Sequence, residues 1–374
     1  MIETYKPVDT VSKHGDIDSE SLAKLMALGY VSGSSNIENE KLKVEPKLRD
    51  PKDMVEVIDL FSVGKTYMEE SRYEKGIEIF VKVLELDPQN RKAYQIVGDA
   101  YFKLTRFDEA LKAYETSLKF EPDTMVFNNI GAVYQKKLEY EKAIAAFKQA
   151  IQLNPLNQEA FINLGDTLTA TAQYSEAEQY YKKASDIAPS KRLAKSSGIL
   201  YWKNGSYDKS LEYLDNAIAE HPDAETYRVK GIVCQLKNDF PAAIDAYNKS
   251  LGLEPDSILT RVNLGKIYLE SARYKEATDQ FLEILKRKPA FYDIYNNVAW
   301  LMSTHQTGSL ETAREYAEKA VAGNPQQPEY LKTLASILIK QDKLKRAKTI
   351  LQKTQKINPD DPEIKSMLEK CSGK

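Results

Sequence analysis

An all-α solenoid, built from stacked pairs of antiparallel helices, is the fold class that this sequence of 374 residues predicts. Three features that recur every 33 or 34 residues predict it. The first is a proline, at Pro88, Pro122, Pro155, Pro189, Pro222, Pro255 and Pro289. The second is a glycine 24 residues before each proline, at Gly64, Gly98, Gly131, Gly165, Gly198, Gly231 and Gly265. The third is a large, mostly aromatic side chain eight residues before each proline, at Phe80, Tyr114, Phe147, Tyr181, Leu214, Tyr247 and Phe281.

Each period indicates one helix–turn–helix unit. A small residue lies 12 positions before each proline, and with the glycine it marks where two helices approach so closely that a Cβ atom would clash. The large side chain fills the adjoining gap, and the proline ends the second helix because it has no backbone N–H. One unit cannot bury its own apolar faces, so neighbouring units must stack.

This 34-residue pattern resembles the tetratricopeptide repeat family over residues 57–361. We count nine repeats. The eighth departs from the pattern, because Ala299 replaces the glycine and the turn at 303–308 is two residues longer, and the ninth carries Ala335 and Leu351 at the glycine and aromatic positions. The resemblance implies a right-handed superhelix in which the first helix of each repeat lines a concave groove.

The sequence divides into three parts. Residues 1–50 form an N-terminal arm, in which a short amphipathic helix is expected over 19–28 and a flexible linker over 32–49. Residues 51–360 form the repeat array. Residues 361–374 form a C-terminal capping helix, because the end of a solenoid needs a polar outer face.

Part of the arm is similar to the C-terminal junction of bacterial sulfatase-like hydrolases that carry tetratricopeptide arrays. The similarity rests on the run LMALGYV at 25–31, which is followed by a charged linker and by DPKD at 50–53. It implies that the chain is the tail of such a hydrolase without its catalytic domain, since the catalytic motif and the metal-binding carboxylates of sulfatases are absent from this sequence. A short helix that arose by chance is the alternative.

Composition and charge argue against several functional classes. The 53 basic and 55 acidic residues give a net charge of −2, which argues against a nucleic-acid binder, because the neutralisation of phosphates needs a basic face. No run of 18 apolar residues is present, which argues against membrane insertion. The first 20 residues contain no apolar stretch typical of a signal peptide. We therefore expect a cytoplasmic location for the sequence as it stands, and an extracytoplasmic one if it is the tail of a secreted hydrolase.

The sequence also contains no recognisable catalytic motif, such as a nucleophile elbow, a phosphate-binding loop or a zinc-protease helix. Its three histidines lie far apart and show no metal-ligand spacing. Cys234 replaces a tyrosine of the repeat and is expected to be a buried packing thiol. We therefore predict a protein that is not an enzyme, with no cofactor and no metal.

Binding is the function that remains, and two tryptophans are the first candidates for it. By the resemblance, positions 2, 5, 6, 9, 12 and 13 of each repeat face the groove. Trp202 falls at a twelfth position and Trp300 at a ninth, and tryptophan is a strong anchor when a partner buries it. The alternative is that each ring packs against the next repeat. The predicted apolar neighbours on this surface are Phe102, Met125, Ile162, Ile199 and Leu269.

Four asparagines, all at sixth positions, are the second set of candidates: Asn129, Asn163, Asn263 and Asn297. A side-chain amide both donates and accepts hydrogen bonds, so it can hold a peptide backbone without reading its side chains. The set resembles the asparagine ladder in the repeats of O-linked GlcNAc transferase. Ordinary repeats also carry asparagine there, which is the alternative.

Arg192 and Lys195, beside Lys191, form a local basic patch in repeat 5, for which a solvated helix face is the alternative. Taken together, the sequence predicts a non-catalytic scaffold that binds a protein or peptide in a concave groove, with self-association through the ends of the array also possible. An accessory module of a sulfatase-like hydrolase is the second reading of the function.

Overall fold

The computed structural model describes residues 51–372. Over this range the chain forms 19 α-helices and no strand. The helices are α1 (Pro51–Glu69), α2 (Tyr73–Leu86), α3 (Arg91–Lys103), α4 (Phe107–Leu118), α5 (Thr124–Lys136), α6 (Tyr140–Leu153), α7 (Gln158–Ala170), α8 (Tyr174–Ile187), α9 (Lys191–Lys203), α10 (Tyr207–Glu220), α11 (Ala224–Leu236), α12 (Phe240–Leu253), α13 (Ile258–Glu270), α14 (Tyr274–Arg287), α15 (Tyr292–Thr304), α16 (Leu310–Gly323), α17 (Pro328–Lys340), α18 (Leu344–Ile357) and α19 (Pro362–Cys371).

Helices α1 to α18 form nine consecutive pairs, and each pair is one repeat. The two helices of a repeat pack on each other, and the second helix of each repeat packs on the first helix of the next. Buried apolar side chains run along the whole array as a series of neighbouring clusters. The predicted all-α solenoid of nine helix pairs is therefore confirmed, and Cys234 is buried as expected.

The ninth repeat is followed by α19. Asp361 is its N-cap residue, and the Asp361 side chain accepts a hydrogen bond from the backbone N–H of Glu363. Ile364 and Met367 of α19 are buried against the last repeat. The predicted arm, with its helix at 19–28 and the part of the hydrolase-like junction at 25–31, lies outside the described residues; positions 51–53 of the junction begin α1.

A contact between the repeat glycine and the large side chain 16 residues later fixes how closely the two helices of a repeat approach. A Cβ atom placed on Gly131 would lie 2.5 Å from Cε1 of Phe147, and one placed on Gly98 would lie 2.5 Å from Cε1 of Tyr114. The ring therefore lies directly on the glycine, whereas the sequence suggested only that it fills a gap beside the close approach. Any larger residue in the place of the glycine must push the ring away.

Where a tyrosine stands at this position, its hydroxyl group bonds to the first helix of the same repeat. Tyr114 donates a hydrogen bond to Asp99 at 2.6 Å, and Tyr181 donates one to Asp166 at 2.7 Å. In both repeats the aspartate comes directly after the glycine. Phe147 has Ala132 at that place instead and needs no acceptor.

Repeat 8 has a close ring-on-glycine contact too, but its ring is on the first helix and its glycine is on the second helix. Ala299 replaces the glycine and Ala317 replaces the aromatic residue, and both are fully buried. The ring comes instead from Tyr292 at the start of α15, which lies against Gly323 at the end of α16. The repeat that departs most from the sequence pattern therefore keeps a ring-on-glycine contact, but at the other end of its helix pair.

The turn between the two helices of every repeat contains one residue in the left-handed region. Glycine occupies this place only in repeat 5, as Gly205 with φ 78°. The other eight are Ser71, Thr105, Leu138, Ala172, Asn238, Ala272, Gln306 and Asp342, with φ between 56° and 61°. Non-glycine residues are strained in this conformation, so most turns store some strain.

Replacement of Gly131 by alanine should lower the free energy of unfolding by roughly 1–3 kcal/mol, because the Cβ atom displaces the Phe147 ring. Repeat 9 carries the compensated pair, Ala335 with Leu351, both fully buried. Thermal and denaturant unfolding of Gly131→Ala, Phe147→Leu and the double variant should show the double variant to be more stable than the sum of the single effects predicts. Strict additivity would contradict a direct glycine–ring contact.

Replacement of Leu138 by glycine should raise the free energy of unfolding by up to about 1 kcal/mol, since relief of the left-handed strain exceeds the added entropy of the unfolded chain. Leu138 is largely exposed, so little apolar contact is lost. The matched variant Gly205→Ala should be destabilised by about 1 kcal/mol. Equal stability of Gly205→Ala and the parent in urea unfolding would be at odds with this account.

Candidate functional site

The predicted binding residues all lie on first helices of repeats, as the candidate groove requires. They lie on α3, α5, α7, α9, α13 and α15. Their neighbours and exposure differ strongly between the N-terminal and the C-terminal repeats. The structure therefore divides the predicted set into residues that serve the array itself and residues that remain accessible.

Asn129 and Asn163, in repeats 3 and 4, are bound to neighbouring repeats. The Asn129 amide donates to Asp99 of repeat 2 at 3.0 Å. The Asn163 amide donates to the Oδ1 atom of Asn128 at 2.8 Å, and its own Oδ1 atom accepts a hydrogen bond from Arg192 of repeat 5. Asn163 is also buried. These two amides therefore join consecutive first helices.

The carboxyl group of Asp99 is central to this arrangement. Desolvation by the surrounding helices raises the pKa of Asp99 above its ordinary value, although the hydrogen bonds from Tyr114 and Asn129 act in the opposite direction. Burial and the nearby Asp99 carboxylate also raise the pKa of Tyr114. The network is therefore poorly hydrated, and its hydrogen bonds connect repeats 2 and 3.

The basic residues of repeat 5 are paired with carboxylates. Arg192 lies 2.5 Å from Glu159 of repeat 4, and Lys195 lies 2.7 Å from Glu225 of repeat 6. Lys191 lies 3.0 Å from Asp223. Carboxylates from the neighbouring repeats thus balance the charge of the predicted basic patch.

The two tryptophans occupy different surroundings. Trp202 is half-buried and packs against a cluster that contains Leu214, Val229 and Val233, and the last two of these belong to repeat 6. This is the arrangement that the packing alternative describes. Trp300 is 41% exposed, and its remaining contacts include the edge of the His305 ring, with the ring centroids 5.0 Å apart.

The predicted apolar neighbours also divide. Ile162 is buried at 2% exposure, so its prediction as a groove residue was wrong: the side chain belongs to the core of repeats 3 to 5. Phe102, Ile199 and Leu269 are half-buried. Met125 is 72% exposed.

Asn263 and Asn297, in repeats 7 and 8, differ from their counterparts in repeats 3 and 4. Within residues 51–372, neither side-chain amide has a hydrogen-bond partner, and both are half-buried. Asn297 lies three residues before Trp300 on α15, so the two side chains lie on neighbouring parts of the same helix surface. Both amides therefore keep unused hydrogen-bonding groups.

Asn296 is a further residue of this helix surface that was not predicted, and its Oδ1 atom is buried and has no hydrogen-bond partner in the described part of the chain. The sequence signal was the Asn-Asn pair at 296–297, which repeats the pair at 128–129. In repeat 3 the first asparagine accepts a hydrogen bond from Asn163 of the next repeat. In repeat 9 that place holds Thr333, which bonds to its own helix, and the Asn296 oxygen is left unpaired.

Residues 51–372 show no group of three or more His, Cys, Asp or Glu side chains that could hold a metal ion. None of the helices in the same range is long and apolar enough to cross a membrane.

Comparison with known proteins gives a consistent result along the array. Protein-family models described as tetratricopeptide repeat match residues 60–90, 91–124, 125–157, 146–179, 196–258, 262–328 and 305–371. A TPR repeat-containing protein from Methanocaldococcus jannaschii is 24% identical over 335 residues, which cover 83% of this chain and 57% of the relative. A BBSome complex member from Bos taurus is 22% identical over 296 residues, which cover 78% of this chain and 56% of the relative. The chain thus spans less than three fifths of either relative.

Among solved structures, a tetratricopeptide repeat protein from Parabacteroides merdae superposes with a TM-score of 0.56 at 20% identity. The match covers 66% of this chain and 99% of that protein. At this identity the likeness shows the shared fold.

Replacement of Asn163 by alanine should lower the free energy of unfolding by about 1–3 kcal/mol, because it leaves the Asn128 oxygen without a donor and removes one acceptor of the Arg192 guanidinium, which keeps Glu159. The matched variant Asn263→Ala should change it by no more than about 0.5 kcal/mol. Urea unfolding of both variants measures the difference. Equal losses would contradict the division between bound and free asparagines.

Proposed function

Because the chain belongs to the tetratricopeptide repeat family, we propose that it is a non-catalytic scaffold that binds an extended segment of a partner polypeptide along the first helices of repeats 7 and 8. One observation carries the proposal: the buried, unpaired Oδ1 atom of Asn296 lies one helical turn before the partly exposed ring of Trp300. Rotation of the Asn296 amide toward the surface would bring this oxygen to a backbone N–H of a bound segment, and an apolar side chain of the segment would cover the ring.

The free amides of Asn263 and Asn297 extend this surface. An amide can donate to a peptide carbonyl and accept from a peptide N–H, which favours a ligand bound through its backbone. Leu259, at the second position of repeat 7, is 55% exposed and adds apolar area to the same first-helix face. A segment with an apolar side chain between ordinary backbone contacts fits these groups best.

Repeats 2 to 5 have a different role in this proposal. Their first-helix polar groups already bond to each other, so a ligand would have to break those bonds before it could use them. We propose that these hydrogen bonds and ion pairs make this part of the array stiff. The relative described as a BBSome complex member is a subunit of an assembly, which agrees with a scaffold role for an array of this kind.

The accessory-module reading rests on the sequence at 25–31 and 50–53 alone. An intact-mass measurement of the natural protein tests it, because a hydrolase domain upstream would add a large mass. Self-association is tested by light scattering across a range of concentrations.

The substitution Trp300→Ala should weaken the binding of a peptide selected against the parent from a random peptide library by about thirtyfold, the loss expected at an aromatic hot spot. Its melting temperature should change little, since the ring is partly exposed. Asn296→Ala should also weaken the binding of the peptide, because it removes the unpaired acceptor.

Trp202→Ala is the matched control. It should lower the melting temperature, because its ring packs on repeat 6, and it should leave the dissociation constant of the peptide almost unchanged. Calorimetric titration and thermal unfolding of the three variants provide both readouts. Unchanged peptide affinity in both Trp300→Ala and Asn296→Ala would overturn the proposal.

A further inference from the structure

A cavity of about 620 Å³ lies between α8, α9 and α10, at the junction of repeats 4 and 5. Leu193, Ser197 and Leu200 of α9 form its buried floor, and Tyr181 of α8 forms one wall. These α9 residues stand at the third, seventh and tenth positions of the repeat, whereas the candidate groove residues stand at other positions. The cavity is therefore separate from the proposed peptide site, and its volume is typical of ligand pockets.

In repeats 4 and 8 an aromatic pair occupies the corresponding place. The ring at the fourth position, on the first helix, packs against the ring at position 23, on the second helix. Phe161 and Tyr180 do so in repeat 4, with their centroids 6.2 Å apart, and Tyr295 and Tyr316 do so in repeat 8, at 5.6 Å.

Repeat 5 retains only the second ring of this pair. Ala194 occupies the fourth position, and Tyr213 occupies position 23. Tyr213 stacks instead on Tyr201, with the ring centroids 5.3 Å apart. The space that Phe161 and Tyr295 fill in their own repeats is thus left open above Ala194.

The floor of the cavity carries a polar side chain, Ser197, that also differs from the residue type found at its position in most repeats. Ser197 is at the seventh position, where most repeats have a branched apolar residue: Val63, Val97, Ile130, Leu164, Leu264, Val298 and Leu334. Its side chain is only 5% exposed and lines the cavity. In the part of the chain that the structure describes, its hydroxyl group has no hydrogen-bond partner. Two positions of repeat 5 therefore differ from the corresponding positions of most other repeats, one giving space and the other a hydrogen-bonding group.

We propose that this cavity is a second binding site, which receives the aromatic side chain of a partner polypeptide and pairs its polar substituent with the hydroxyl group of Ser197. A tyrosine side chain matches both features, since its ring replaces the missing one and its hydroxyl group reaches the floor. A second recess of about 550 Å³ shares Glu178, Leu200 and Tyr201 with the cavity, and the Tyr201 hydroxyl group donates a hydrogen bond to Glu178 at 2.6 Å between two of these shared residues. This neighbouring recess offers space to residues that flank the ring, which favours a chain segment with an aromatic anchor. The site does not depend on the groove proposal.

The ring site is tested with p-cresol, which is the tyrosine side chain as a free molecule. p-Cresol should bind the parent chain in calorimetric titration and should raise its melting temperature. Ser197→Ala should bind p-cresol about fivefold more weakly, because one hydrogen bond is lost, and should bind toluene as the parent does. Absence of p-cresol binding to the parent would overturn the proposal.

The variant Ala194→Phe restores the ring that repeats 4 and 8 carry. It should keep a cooperative melt and lose p-cresol binding. Ser197→Leu fills the cavity from its floor with the residue type of the other repeats, and it serves the same purpose if Ala194→Phe fails to fold. Unchanged binding in a folded filled variant would place p-cresol elsewhere and overturn the site.

A blocked pentapeptide with a central tyrosine between alanines tests whether the site binds a side chain of a polypeptide or a free aromatic molecule. It should bind the parent at least tenfold more tightly than p-cresol, and Ala194→Phe should abolish its binding. Trp300→Ala should leave its affinity unchanged, which separates this site from the proposed groove. A peptide that does not bind, together with p-cresol that does, would show a pocket for small aromatic molecules and overturn the polypeptide proposal.

Discussion

The contact of a large side chain with a glycine backbone, made once in each of the first seven repeats, is the constraint on which the array depends. It fixes the distance between the two helices of a repeat, and the stacking of one repeat on the next follows from that distance. Repeat 8 shows that the contact matters more than the residues that make it. It has lost the glycine at 299 and the ring at 317, and Tyr292 lies on Gly323 instead.

Much of the fold could be predicted from the sequence because the contacts of a solenoid are local and periodic. The nine helix pairs follow from the spacing of proline, glycine and aromatic residues alone. The contact of Tyr292 with Gly323 in repeat 8 could not be predicted, because neither residue stands at the glycine or the aromatic position of the period. The left-handed residues were also missed, since Leu138 and Ala172 carry no sign of that conformation in their residue type.

The candidate site was only partly predictable. Whether a polar side chain is hydrogen-bonded or unpaired depends on the residue that lies beside it in the next repeat. Asn128 and Asn296 occupy the same position in their repeats. The first is satisfied by Asn163 and the second is unpaired, because the next repeat has Thr333 in that place. Sequence position alone likewise gave the same role to Trp202 and Trp300, although Trp202 is half-buried against the following repeat and Trp300 is 41% exposed.

The cavity above Ala194 has a consequence for how the array unfolds. The stability of a solenoid is approximately the sum of its repeats and of the interfaces between neighbours, and an unfilled cavity removes dispersion contacts from one interface. We therefore expect the junction of repeats 4 and 5 to be weaker than it would be if filled, although the bonds of Arg192 and Tyr201 to repeat 4 still cross it, and the repeats on its two sides to form segments with partly separate opening free energies. An occupant of the cavity would join these segments, so its binding energy would appear as thermodynamic coupling between the two halves of the protein.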